Sequence, residues 1–100
     1  MIRATFERDF SGFSLSGHAG YAEAGEDIVC AAVSAMTNLV VNGADAFGAV
    51  AEVSAGSEGA QVVYRMTKPC AEAEKLLSVF YEELKQLQTQ YPAYVRVRKI

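Results

Sequence analysis

A chain of 100 residues with a 51% hydrophobic and 21% charged composition is one domain's worth of sequence, able to bury a core and far from the composition of a disordered segment. A formal net charge of -3 and a pI near 5.0 exclude an overall positive field of the kind that recruits nucleic acid or anionic lipid. Two cysteines cannot build a disulfide scaffold, and one histidine without paired CxxC spacing cannot close a zinc shell of N and S ligands, so neither metal nor organic cofactor is expected.

Met1-Ile2-Arg3 leads straight into an alternating segment with no apolar stretch of the signal-peptide type, which points to a reducing, cytoplasmic setting. Ile2, Ala4 and Phe6 alternate with Arg3, Thr5 and Glu7, the period of a half-buried strand. A turn at Ser11-Gly12 follows, and Phe13 and Leu15 then alternate with Ser14 and Ser16, so a β-hairpin is predicted whose second strand runs out at Gly17-His18. The next nine residues hold three glycines, Gly17, Gly20 and Gly25, which predicts a mobile loop.

Asp27 stands where a helix N-cap would stand. Beyond it Ile28, Val29, Val33, Met36, Leu39, Val40 and Phe47 fall on nearly every face, the pattern of a helix enclosed by other elements. Residues 28–44 carry no charge, but Ser34, Thr37, Asn38, Asn42 and Gly43 interrupt a run already marginal for a membrane span, so a buried central helix is predicted. Two short strands over 50–55 and 60–66, separated by Gly56-Ser57-Glu58-Gly59, read as a second hairpin. Pro69 is expected to open a second helix whose stripe is Leu76, Phe80, Leu84, Leu87 and Tyr91, and Pro92 to stop it. Residues 94–99 form a last strand with Val95 and Val97 on one face; the cluster Arg96, Arg98 and Lys99 reads as its solvated side. The expectation is one α+β domain over 1–100, a mixed sheet with two main helices in the order β-β-α-β-β-α-β.

Chemistry concentrates in Gly17–Ser34, GHAGYAEAGEDIVCAAVS, which holds the only histidine and one of the two cysteines. With Asp27 as N-cap, Cys30 is the third helical residue, where unpaired N–H groups and the positive end of the helix dipole favour a thiolate and could donate to an oxyanion. His18, carried on the loop, could take the thiol proton and return it to a leaving amine. A sulfur nucleophile, a base and an oxyanion site are the parts of acyl transfer. Taken alone, a cysteine on an apolar helix is more often a small core residue than a nucleophile. Asp27 is open to three readings: a structural cap, a carboxylate orienting His18, or a surface ion-pair partner. Ser34, one helical turn beyond Cys30, either faces a substrate or bonds back to a helix carbonyl. Tyr21, Glu23 and Glu26 belong to the loop, and Cys70 is expected to have no catalytic part.

The same run resembles the signature of the bacterial ribosomal-processing cysteine protease family, Prp, and the likeness in length and element order extends over essentially the whole chain. The resemblance implies a catalytic dyad at His18 and Cys30, a small α+β homodimer, and cleavage of a short N-terminal extension from large-subunit ribosomal protein twenty-seven, after an aromatic pair. With three glycines the loop has little reason to be ordered alone, so Gly17, Gly20, Tyr21 and Gly25 are expected to form a substrate loop that is poorly ordered without substrate and closes over a bound peptide. The rival expectation is a non-enzymatic ribosome-associated binding protein whose basic tail touches RNA; the acidic net charge speaks against direct nucleic-acid contact. A thiol redox protein is a further alternative, with Cys70 resolving Cys30.

Overall fold

The structure is a computed structural model that describes residues 1–23, 26–56 and 61–100. Its elements follow the expected order: β1 (Ile2–Phe6), β2 (Gly12–Ser16), α1 (Ile28–Ala46), β3 (Ala51–Ala55), β4 (Val62–Met66), α2 (Ala71–Gln90) and β5 (Val95–Lys99). They make one five-stranded mixed sheet in the order β3-β4-β2-β1-β5, so the fold is α+β. Every strand pair is antiparallel except β1 with β5, which run parallel from Ile2 opposite Val95 to Phe6 opposite Lys99.

The alternation of β1 and β2 turns Ile2, Ala4, Phe6, Phe13 and Leu15 to one face, where they meet Tyr64, Met66, Val95 and Val97 from the other strands. Both helices lie on that face. Phe6 is fully buried and meets Phe80 of α2 edge-on at 5.6 Å, Tyr81 at 5.3 Å and Phe13 at 5.6 Å. Burial of such a ring contributes about 2–3 kcal/mol, and each favourable aromatic pair roughly 0.5–1.5 kcal/mol more. Residues 90–92 end α2: Tyr91 is the C-cap and Pro92 follows it.

Two expectations are corrected. α1 is not enclosed: it buries the single stripe Val29, Val33, Thr37, Val40 and Ala44, while Leu39 is 72% exposed and Ile28 56%. A two-layer fold has nothing beyond the helices to cover their outer side. Pro69 does not open α2 either; it precedes the N-cap, Cys70, whose own N–H donates to the Glu74 carboxylate at 3.2 Å. The turn expected at Ser57, Glu58 and Gly59 lies outside the described residues.

Candidate active site

Asp27 begins α1 in extended backbone (φ -81°, ψ 99°) and caps it: its Oδ1 accepts from the Val29 N–H at 3.0 Å and the Cys30 N–H at 2.9 Å. Its Oδ2 reaches back to the preceding loop and accepts from the Tyr21 N–H at 3.0 Å and, more weakly, the Ala22 N–H at 3.5 Å. The Cys30 N–H does most to hold this carboxyl below its ordinary value of 3.8; partial desolvation opposes it, and the N–H groups of Tyr21, Ala22 and Val29 add to it. Of the three readings of Asp27, the geometry favours the cap, extended to a second task. Its two oxygens serve four backbone N–H groups, joining the histidine loop to the helix.

This cap fixes Cys30 as the third residue of the helix, half-buried, as its spacing predicts. It also uses the N–H groups of Val29 and Cys30, so these are not free for an oxyanion, contrary to expectation. The donor aimed at the sulfur comes from the loop instead: the Ala19 N–H lies 3.3 Å from Cys30 Sγ. Sequence reasoning missed it, because a backbone donor leaves no side-chain signature. The available signal was the pair of glycines around it. Gly17 sits at φ 87° with the Met1 carbonyl against the place a Cβ would occupy, and Gly20 sits at φ 71°. These left-handed positions favour glycine and turn the chain so that Ala19 is 3% exposed while its neighbour His18 is exposed.

A loop with three glycines in nine residues is expected to be loosely held, yet residues 17–23 are tied down at several points. Besides buried Ala19 and the Asp27 bonds, the Tyr21 ring packs edge-on against Tyr91 at 5.5 Å and Tyr94 at 5.2 Å, at the α2–β5 junction. Glu23 and Glu26 are exposed, the Glu26 N–H donating to the Glu23 carbonyl at 2.9 Å. Gly25 lies outside the described residues.

His18 and Cys30 line one open cleft of about 560 Å³, together with Gly20, Ala22, Asp27, Ala31 and Ser34. On the other side of Cys30 and Ser34 runs a smaller trough of about 220 Å³, walled by Ile2, Leu15, Val33 and Val62. Ser34 therefore faces both spaces, while the back-bond to a helix carbonyl falls to Thr37, which donates to the Val33 carbonyl at 2.7 Å. Cys70 is elsewhere. Its sulfur lies 3.8 Å from the carbonyl of Phe47, just past the C-terminal end of α1, about 25 Å along the helix from Cys30. That separation removes Cys70 as a resolving partner within the chain, and both thiols are free. Among the described residues no three His, Cys, Asp or Glu side chains converge as a metal site would require.

Residues 1–96 match the sequence profile of the family described as Cysteine protease Prp. No curated protein matches the chain. Among solved structures, the essential ribosomal processing protease Prp of S. aureus with a covalently linked product peptide superposes with a TM-score of 0.92 at 23% identity, covering 100% of both chains. The same S. aureus protease with a substrate peptide gives 0.87 at 22% identity, again over 100% of both chains. SMU.848 of Streptococcus mutans gives 0.87 at 27% identity, over 100% of this chain and 94% of that one.

Proposed function

The chain belongs to the Prp family of cysteine proteases, and we propose that it is the endopeptidase that trims a short N-terminal extension from large-subunit ribosomal protein twenty-seven, with Cys30 as nucleophile and His18 as general base. One observation carries the assignment of roles: the only histidine of the chain and a cysteine in the first turn of a helix share a cleft, and the residue next to that histidine directs its N–H at the sulfur. The S. aureus protease, with bound product and with substrate peptide, supports a peptide chain as the kind of molecule this fold takes in.

The chemistry follows from the arrangement. His18 accepts the thiol proton, and Cys30 Sγ adds to the scissile carbonyl carbon, forming a C–S bond and a tetrahedral oxyanion. The Ala19 N–H, which lies 3.3 Å from the sulfur, turns to that oxygen once the sulfur has given its electron pair to carbon. The imidazolium then protonates the leaving amine, the C–N bond breaks, and a thioester remains. Water, deprotonated by the same imidazole, adds to the thioester, and the thiol leaves with the proton restored. Asp27 holds the loop that carries the base and the donor. The trough beside the sulfur has apolar walls at Ile2, Leu15, Val33 and Val62 and polar groups at Ser34, Thr37 and Asn38, which suits an aromatic or other largely apolar side chain next to the cut.

The exposed apolar residues Ile28, Leu39, Phe47, Val53 and Val79 support assembly as a homodimer, and two free thiols suit a cytoplasmic setting. The test is direct. Incubation with ribosomal protein twenty-seven bearing its extension should give a product whose mass corresponds to one cut after the aromatic pair, and Cys30→Ala should give none. An intact substrate after incubation with the folded wild-type protein would refute the substrate assignment.

A further inference from the structure

With both helices on one face, no element among the described residues covers the other face of the sheet. Register places Arg3, Arg65, Arg96 and Arg98 on it, all exposed, against a single strand carboxylate, Glu52. Arg65 engages Glu52 at 3.2 Å, which leaves Arg3, Arg96 and Arg98 without a carboxylate partner among the described residues. Arg3 stands directly opposite Arg96 across the parallel β1–β5 pair, and Arg98 lies two residues further along, opposite Thr5. Like charges in register on neighbouring strands repel, and no packing requires them here. The net charge of -3 therefore averages a basic sheet face with a more acidic remainder, and the expectation that nucleic acid is no partner rested on that average.

We propose that this bare face docks on the backbone of double-stranded RNA. Guanidinium groups present planar forks that match phosphate oxygens. Among the described strand residues the face carries no aromatic side chain, and its valine, Val63, is half-buried. It has neither a platform for stacking single-stranded bases nor a wedge for lipid. What it does offer between the arginines is a flat row of hydroxyls, Thr5, Ser14 and Ser16. The wide, shallow minor groove of an A-form duplex displays 2′-hydroxyls to such a surface, whereas the readable groove of B-DNA admits a helix or a ribbon rather than a sheet face. A second copy of the chain is disfavoured by the same like charges.

The experiment measures anisotropy of a labelled RNA duplex of about 16 base pairs against wild-type protein, Arg96→Thr/Arg98→Thr, and Lys75→Thr on the helical side. Threonine suits an exposed strand position, and circular dichroism together with peptide cleavage checks the fold. Expected are saturable wild-type binding, a loss of roughly tenfold or more in the double variant and less than about twofold in Lys75→Thr. The wild-type slope of log K against log salt should be about -2 to -3, reduced by about two units in the double variant. Cys30→Ala should bind as the wild type does, which separates this face from the peptidase site. Absence of saturable binding at about 50 mM salt, equal loss in Lys75→Thr, or equal binding to a DNA duplex, to phosphatidylserine vesicles or to polyglutamate would each overturn the proposal. The wild-type salt slope and ligand panel decide the matter even if the double variant does not fold.

Discussion

Each helix of this protein starts beside a cysteine, and the two sulfurs meet different surroundings. Cys30 is the third residue of α1, behind a carboxylate cap that carries both its own and its neighbour's N–H, and its sulfur receives the Ala19 N–H at the edge of a cleft that also holds His18. Cys70 is itself the N-cap of α2, makes no side-chain cap bond, and has the Phe47 carbonyl and the Glu72 carboxylate as its sulfur's neighbours. α1 has no acidic residue in its first turn; α2 has Glu72 and Glu74. A helix start alone therefore does not make a nucleophile. The sulfur also needs space for an acyl group, a donor that follows charge onto oxygen, and a base within the same cleft.

The largest test of that contrast is deletion of each sulfur. Cys30→Ala should lower kcat/KM for the proposed ribosomal-protein substrate by roughly a thousandfold or more, the scale of nucleophile removal. Cys70→Ala should stay within about twofold. Equal losses would erase the distinction. Next in size is the proposed base: His18→Ala should cost on the order of a hundredfold, as general-base assistance commonly does, with an unchanged circular dichroism spectrum because the residue is exposed. A loss under about threefold would pass the proton to another group. Reactivity without substrate is a milder probe. Iodoacetamide at neutral pH, followed by peptide mass spectrometry, should label Cys30 about tenfold faster than Cys70.

The smallest effect concerns the cap that sets the two helix starts apart. The folded Asp27 carboxyl titrates below its ordinary value of 3.8, so the stability it confers is fully present above about pH 4 and is lost as pH falls through the lower folded value. Asp9, lowered chiefly by its bonds to Ser11, acts in the same direction. Asp27→Asn keeps a cap oxygen but removes the charge. Thermal melts between about pH 6 and 3 should show a flatter acid limb in the variant than in the wild type, with Tm at neutral pH lower by only a few degrees. Identical acid limbs would assign the acid sensitivity to other carboxylates.

Element order was readable because the alternation of β1 and β2 and the stripe Leu76, Phe80, Leu84 and Leu87 impose periods that only one element type satisfies. Cys30 at the third helical position was readable for a similar reason, since Asp27 is a strong cap ahead of an apolar run. The outer side of α1 was not. Ala31, Ser34, Ala35 and Asn38 are small or weakly polar, so they blur the period that would have separated its exposed side from its buried one. The tie on the loop was hidden as well. Tyr21 finds Tyr91 and Tyr94 some seventy positions away, and a long-range contact between aromatic rings has no local pattern.

That ring contact and the parallel β1–β5 pair bear on when the enzyme becomes able to cut. β1 is flanked in the sheet by β5, some ninety positions later in the chain, with the Ile2 N–H bonded to the Tyr94 carbonyl and the Ile100 N–H to the Phe6 carbonyl. The histidine loop leans on the turn between α2 and β5, and Ile2 walls the trough beside the sulfur. A chain still emerging from the ribosome thus carries Cys30 and His18 long before it has the residues that hold them in register. Closure of such a distant pair is slow relative to helix and hairpin formation, so the wall beside Cys30 and the support of the histidine loop are complete only once β5 has joined β1.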